Sequence, residues 1–422
     1  MQFLLRQHLN VRIRLGAFFF LGIAQFTTIP FMTIYFAHNF GAGPTGILLA
    51  LTMLVAMVAG IVGGVVSDHI GRRRVLYGCE FVLTSAYAAM AIANSPVLHA
   101  PWVTFLAFMV SNAVWGIYGP VDEAMMLDVT AVKDRGQMYT VFYWMANLTI
   151  AIGSAVGGLM FVHYRFWLFA SAAVLFGATC LSTVWFIGET HHPLPDQTPP
   201  SFSGFVTNYR SVLKDRTFLR YLAAGTIMMA IETELQNGIG VHLVDHFVKT
   251  TVSIGSGAIV HLGGLSMLGF LRTENTVLVV ALALFAGRFS RRVPDKWILG
   301  GAIGLFAMGY GLLNLATAPS MLFLAMMTAT LGEVLSVPVR QSFLADLTPE
   351  HARSSYLAVH NLTFNVGGMM SALVVSLITI VPPIGMGLLT VMGGLAAIGC
   401  YWSILPAIYQ RRQRILPEVE SS

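Results

Sequence analysis

Glu333 stands between Leu331-Gly332 and Val334-Leu335, deep inside a long apolar run. A charged side chain in hydrocarbon costs about 2.5–3.5 kcal/mol on insertion scales, so an acid kept there suits a proton carrier or a cation-binding group. The plainer alternative is a neutral glutamic acid hydrogen-bonded to a neighbouring helix. Glu232 and Glu234 also fall within an apolar run, two residues and about 200° apart on a helix, so one is expected to face a cavity and the other to be packed or paired. Asp122 and Glu123 pose the same question, and Glu80 is a further acid; pairing with Arg14 or an interfacial position is the alternative for these.

A second group of charges has a different character. In Gly64-Val-Val-Ser67-Asp68-His69-Ile70-Gly71-Arg72-Arg73-Arg74, one acid, a positioned glycine and three arginines interrupt two apolar stretches. Asp68, Arg72 and Asp128 fall at the same end of successive stretches, where carboxylate, guanidinium and carboxylate can form a relay of hydrogen bonds. That arrangement reads as a conformational latch, with water-facing loop charges as the alternative.

Other chemistries find little support. His242 and His246 have i, i+4 spacing beside Asp245 but no clear third ligand, and no metal site is expected. Cys79, Cys180 and Cys400 lack metal or pairing spacing. No Gly-x-x-x-x-Gly-Lys-Ser/Thr loop occurs, which disfavours ATP as the energy source, and no cofactor or enzymatic activity is expected. An ion gradient remains: about 2.3 kcal/mol per charge per 100 mV, and about 1.4 kcal/mol per pH unit. Aromatic and methionine residues such as Phe26, Tyr35, Trp115, Met228 and Met229 would give a cavity beside Glu333 soft, cation-friendly walls.

The elements that must position these residues are membrane spans. Hydrophobic residues are 56% of 422 and charged residues 10%, too apolar for a soluble core. About 20 apolar residues cross a bilayer, and twelve such spans can be counted, giving an all-α integral membrane protein. The net charge of +5 forms no aromatic-interleaved basic patch, so no nucleic acid is expected. Basic residues recur between alternate spans: Arg6, Arg12 and Arg14 before the first, Arg72 to Arg74, Lys133 and Arg135, Arg210 to Arg220, Arg288 to Lys296, Arg353, and Arg411 to Arg414 after the last. The positive-inside rule then places both termini of a multi-pass membrane protein in the cytoplasm.

The polar, Pro-rich stretch from Gly188 to Asp215 divides the chain. Residues 1–187 are expected to form a six-helix bundle, 188–217 a cytoplasmic linker, and 218–422 a second six-helix bundle. Asp128-x-Thr130-x-x-x-x-Arg135 recurs as Asp346-x-Thr348-x-x-x-x-Arg353, each copy closing the fourth span of its half. The Gly287 to Arg292 segment echoes the Gly64 to Arg74 motif without its aspartate. Parallel repeats place the substrate path between the bundles. The Gly/Ser-rich stretch from Thr250 to Gly269 is expected to be an outer loop or a segment lying in the lipid surface, leaving the start of span eight open.

The Gly64 to Arg74 motif and the Asp-x-Thr-x-x-x-x-Arg repeat resemble the signature of the major facilitator superfamily, across the whole chain. Met32 to Tyr35, Thr45 to Leu51, Asp128, Tyr143-Trp144 and Leu331 to Glu333 are similar to its drug/proton antiporter branch. The resemblance implies two six-helix bundles and a monomer in the bacterial cytoplasmic membrane, with lipophilic or cationic small molecules, protons and membrane lipids as its partners. It implies multidrug efflux, with a specific metabolite or lipid as the alternative cargo and a receptor or membrane enzyme as a distant one. It also marks Arg14, Asp68, Asp128, Arg272 and Glu333, and extends the switch set to Gly71, Arg72 and Arg73. Where that pattern has acids in spans five and seven this chain has Phe142 and Gln236, so protonation is expected at nearby carboxyls: Asp122, Glu123, Glu232 or Glu234. The glycine motif of span five, Gly153-x-x-x-Gly157-Gly158, is partial and lacks a proline.

Overall fold

The computed structural model of the chain describes residues 8–131, 134–190, 212–248, 250–254, 258–290, 293–349 and 353–420. Helices α1 (Leu9–Phe26) and α2 (Ile29–Phe40) make the first pass; α3 (Ala42–Ile70), α4 (Arg72–Ala93), α5 (Pro101–Asp128), α6 (Arg135–Met160) and α7 (Arg165–Phe186) follow. Helices α8 (Arg216–Thr233) and α9 (Gly238–His246) make the seventh. A hairpin of β1 (Thr250–Ile254) and β2 (Ala258–Leu262) leads to α10 (Gly264–Ser290), α11 (Asp295–Leu313), α12 (Pro319–Leu347), α13 (Arg353–Leu377) and α14 (Pro383–Glu420).

Helices satisfy their own backbone in hydrocarbon, which is why apolar runs of this length take no other form. Among the described residues ten stretches are long and apolar enough to cross a membrane, with α1 and α2 counted as one. The remaining passes are more polar: α8 carries Arg216, Arg220 and Glu232, and α13 carries His360, Asn361 and Asn365. Ten and two make the twelve passes expected.

Both the first and the seventh pass are broken. The Thr27 and Thr28 hydroxyls donate back to the Ala24 carbonyl at 2.7 and 3.2 Å, and Pro30, which has no N–H to satisfy, opens α2. At the second break Glu234 caps α8, and the backbone N–H of Asn237 and of Ile239 both bond to the Glu234 carbonyl. Glu232 lies in the last turn of α8 and Glu234 is its C-cap, with φ of −61° and ψ of −26°, so the two acids leave the helix in different directions.

Contacts gather the chain into two units. The first comprises Met1–Gln197, Leu243–Asp245 and Lys249–Thr276; the second comprises Thr198–His242, His246–Val248 and Val277–Ser422. In the first, α4 packs on α5 and α7, and α1 packs on α6 and α7. In the second, α11 packs on α12 and α14, and α8 packs on α13 and α14. Advancing each first-unit pair by six passes gives its second-unit counterpart, which is the pattern of a parallel repeat.

The stretch expected as a loop or lipid-lying segment is instead the hairpin, with Thr250 opposite Leu262, followed at once by α10. Gly264 opens that helix against the Leu243 carbonyl, where a β-carbon would collide. The eighth pass thus begins at Gly264, and Arg272 lies inside it. The span-five glycines also serve approach: a β-carbon on Gly157 would lie 2.5 Å from the Thr27 oxygen, and one on Gly153 2.7 Å from Phe26 Cβ. They seat α6 against the broken first pass.

Candidate functional site

One end of the first unit brings Arg72 and Asp128 together. Gly71 joins α3 to α4 with φ of +94°, in the region that favours glycine, and its N–H closes α3 on the Ser67 carbonyl at 3.1 Å. The next residue, Arg72, sends Nη1 to Asp128 Oδ2 at the end of α5, and the Thr190 hydroxyl donates to the same oxygen at 3.0 Å. The Asp68 side chain lies outside the described residues, as do Lys133, Arg291 and most of the Gly188 to Asp215 stretch.

A residue that sequence reasoning missed completes this end. The Glu189 carboxylate accepts from the backbone N–H of Arg72 at 3.0 Å and of Arg73 at 3.1 Å, an acid on the exposed amides of a helix N-terminus. Arg73 reaches the Thr183 and Val184 carbonyls at the end of α7. No local signal marks Glu189, which meets its partners across more than a hundred residues.

Asp346, the repeat partner of Asp128, is paired from elsewhere. Arg412 of α14 bridges Asp346 and Asp295 at 2.8 Å each, and Ser342 accepts from the same guanidinium at 2.8 Å. Arg412 had been read only as a topology signal. One sequence feature does mark the equivalence: Pro120 in α5 and Pro338 in α12 each precede their aspartate by the same interval.

Deeper in the first unit lies a denser cluster. Arg14, grouped by sequence with the charges before the first span, is fully buried within α1 at 0% exposure. Its Nη1 donates to Glu80 Oε1 of α4 at 2.6 Å and to the Thr183 hydroxyl of α7 at 3.2 Å. Nε donates to Asp122 Oδ1 and Nη2 to the Tyr118 hydroxyl, both on α5, and Tyr118 in turn donates to Glu80 Oε1 at 3.2 Å. Glu80 is 0% and Asp122 5% exposed, and Glu80 Oε2 is buried with no hydrogen-bond partner among the described residues. Only a guanidinium presents enough donors in a fixed fork to serve partners on three other helices. One cation thus faces two carboxylates.

Glu123, next to Asp122 in sequence, turns away: it is exposed and accepts from the Tyr139 hydroxyl at 2.7 Å. Phe142 packs edge-on against Phe18 at 5.1 Å. Arg272 lies over the Phe26 ring at 5.9 Å.

In the second unit Glu234 is 7% exposed at the break of the seventh pass, and accepts from the Thr390 hydroxyl of α14 at 3.2 Å. Asn237, at the same break, donates to the Ser371 hydroxyl of α13 at 2.9 Å. Glu232 and Glu333 are half-buried on α8 and α12. His242 and His246 stack at 4.5 Å, and no group of three or more metal ligands occurs among the described residues.

A twelve-pass helical chain whose halves repeat one packing scheme, with charges buried among its helices, has the architecture of a membrane transporter. The family model of the Major Facilitator Superfamily matches residues 15–273 and 247–420, and the chain belongs to that superfamily. It is 29% identical over 371 residues to a Na(+), Li(+), K(+)/H(+) antiporter of Planococcus maritimus, covering 86% of this chain and 88% of that one. It is 24% identical to the multidrug resistance protein MdtH of Yersinia enterocolitica, covering 89% and 90%. Among solved structures, a peptide transporter POT in complex with sulfate superposes with a TM-score of 0.73 at 16% identity, covering 95% of each chain. The nucleoside transporter NupG gives 0.70 at 11%, covering 94% of this chain and 99% of that one. These superpositions bear on the fold alone.

Proposed function

We propose that the protein is a proton-coupled multidrug efflux transporter, exporting lipophilic and often cationic compounds by alternating access. The observation that carries this reading is the buried Arg14–Glu80–Asp122 cluster: one guanidinium balances one carboxylate, and the second is the group that takes up and gives back a proton. Glu234, buried at a broken pass, is the matching acid of the second unit, since interrupted helices in corresponding positions mark transporter binding sites. Glu333 and Glu232 are further acids for the substrate path, Glu123 and Arg272 its outlying charges. Asp68, Gly71, Arg72, Arg73 and Asp128 form the switch, with Arg14 linking it to the proton site. The resemblance to the bacterial multidrug/proton antiporter LmrP and the named function of MdtH support export of drugs. The domain reading remains two six-helix bundles about a linker over 188–217, in the cytoplasmic membrane, as a monomer with both termini inside.

A second reading rests on a specific finding. The Planococcus maritimus relative is named for exchange of alkali cations with protons, and the same acids would serve that exchange. Proteoliposomes with imposed pH and voltage gradients separate the two. Ethidium or Hoechst efflux driven by a proton gradient and abolished by a protonophore is expected; dissipation of the gradient by Na(+) or K(+) with no dye movement would replace the first reading by the second.

A further inference from the structure

At the end of the first unit opposite the Arg72–Asp128 latch lies a cavity of about 860 Å³, a size typical of ligand pockets. It is walled by the end of α2, the turns before α5 and α7, and the start of α10. Its chemistry opposes that of the buried acids. Among the described residues Arg165 is the charged residue of the lining, joined by the imidazoles of His38, His99 and His163, and no aspartate or glutamate contributes.

Arg165 is also the more telling side chain because of how it is held. Its guanidinium lies over the Tyr35 ring at 4.6 Å and over the Phe161 ring at 5.1 Å. Nη1 reaches Asn94 Oδ1 at 3.4 Å, while Nε is buried without a hydrogen-bond partner among the described residues. No ion pair to Arg165 occurs among the described residues. A partly desolvated cation fixed by two aromatic faces, with donor capacity unspent, is preorganised for a planar or tetrahedral oxyanion. Around it Leu159, Val162 and Leu265 supply apolar wall.

We propose that this cavity binds an amphiphilic anion: a carboxylate or phosphate monoester held by Arg165, with an apolar body against Leu159, Val162 and Leu265. The site is distinct from the proton-coupling acids and does not depend on which cargo the transporter exports. The headgroup chemistry is shared by free anionic amphiphiles and by anionic lipids entering from the bilayer.

The test uses the full-length protein in phosphatidylcholine nanodiscs and a diazirine-bearing fatty carboxylate as probe. Photolabelling is expected within residues 158–166 and 262–266, and dodecyl phosphate is expected to compete far better than dodecyltrimethylammonium. Arg165→Gln should weaken labelling about tenfold or more, the loss of a charge-assisted hydrogen bond, while Arg165→Lys keeps part of it. Leu159→Trp fills the cavity with Arg165 intact and should block labelling, which keeps the proposal testable if Arg165→Gln does not fold. Competition by added phosphatidylglycerol assigns the site to lipid; competition by dodecyl phosphate without it assigns a free amphiphile, and either supports the proposal. Equal competition by the ammonium amphiphile, full competition by inorganic phosphate alone, or labelling indifferent to both Arg165→Gln and Leu159→Trp would overturn it.

Discussion

Arg14 is the residue on which four helices of the first unit converge, and its loss and the loss of its acids should differ in kind. Removing one partner of a buried ion pair costs about 3–5 kcal/mol because the other charge is stranded. Arg14→Met strands both Glu80 and Asp122, so a large fall in thermal stability is expected in detergent, read by size-exclusion after heating. Recovery is expected in the triple variant Arg14→Met/Glu80→Gln/Asp122→Asn, which strands nothing. By contrast Glu80→Gln leaves Arg14 paired with Asp122. It should fold, keep equilibrium dye binding, and lose proton-driven dye accumulation at least tenfold, about 1.4 kcal/mol of coupling; unchanged accumulation would remove Glu80 from the proton path. The sequence placed acids in the membrane but could not assign their facing. Asp122 and Glu123 are adjacent, about 100° apart on one helix, and only the packing of α5 shows that the first turns in to Arg14 and the second out to Tyr139.

At the scale of elements, the junction of α3 and α4 is set by a glycine and by an acid from the end of α7's connection. A β-carbon on Gly71 would lie 2.5 Å from Glu189 Oε2, and the backbone there has φ of +94°. Gly71→Ala should therefore strain the turn and push the cap aside, together costing about 1–3 kcal/mol. The expected outcome is slowed transport with substrate affinity near that of the parent, and Glu189→Ala should reproduce it more mildly, since it removes the cap but leaves the turn. Lost affinity in either variant would count against a switching role. The Gly64 to Arg74 motif made the junction legible, because an acid, a glycine and arginines between two apolar runs have few other uses. Glu189 was not legible, since the helix N-terminus it caps lies far away in sequence. The hairpin before α10 was obscured for a different reason: glycine-rich sequence signals either a loop or a close approach, and here Gly264 meets the Leu243 carbonyl.

For the whole molecule, the repeat gives each unit an ion pair on a matching aspartate. Asp128 and Asp346 occupy matching places, yet the first is paired by Arg72 from the neighbouring junction and the second by Arg412 from the last helix. The passes were readable from the lengths of the apolar runs, and the matching places of Asp128 and Asp346 from the Asp-x-Thr recurrence. The swap of clamp partners was not, because a basic residue after a final span carries the same topological signal whether or not it is paired. Each clamp lies beside basic residues of its own unit, and the cavity around Arg165 lies at the end of the first unit opposite the Arg72–Asp128 clamp. On the positive-inside rule the clamps are expected on the cytoplasmic side and the cavity toward the outer leaflet. Alkaline phosphatase fused within the turn at His163 should therefore be active, and green fluorescent protein fused after residue 420 should fluoresce in the same host. The reverse pattern would turn the molecule over, placing the latch outside the cell and the anionic ligand of Arg165 within it.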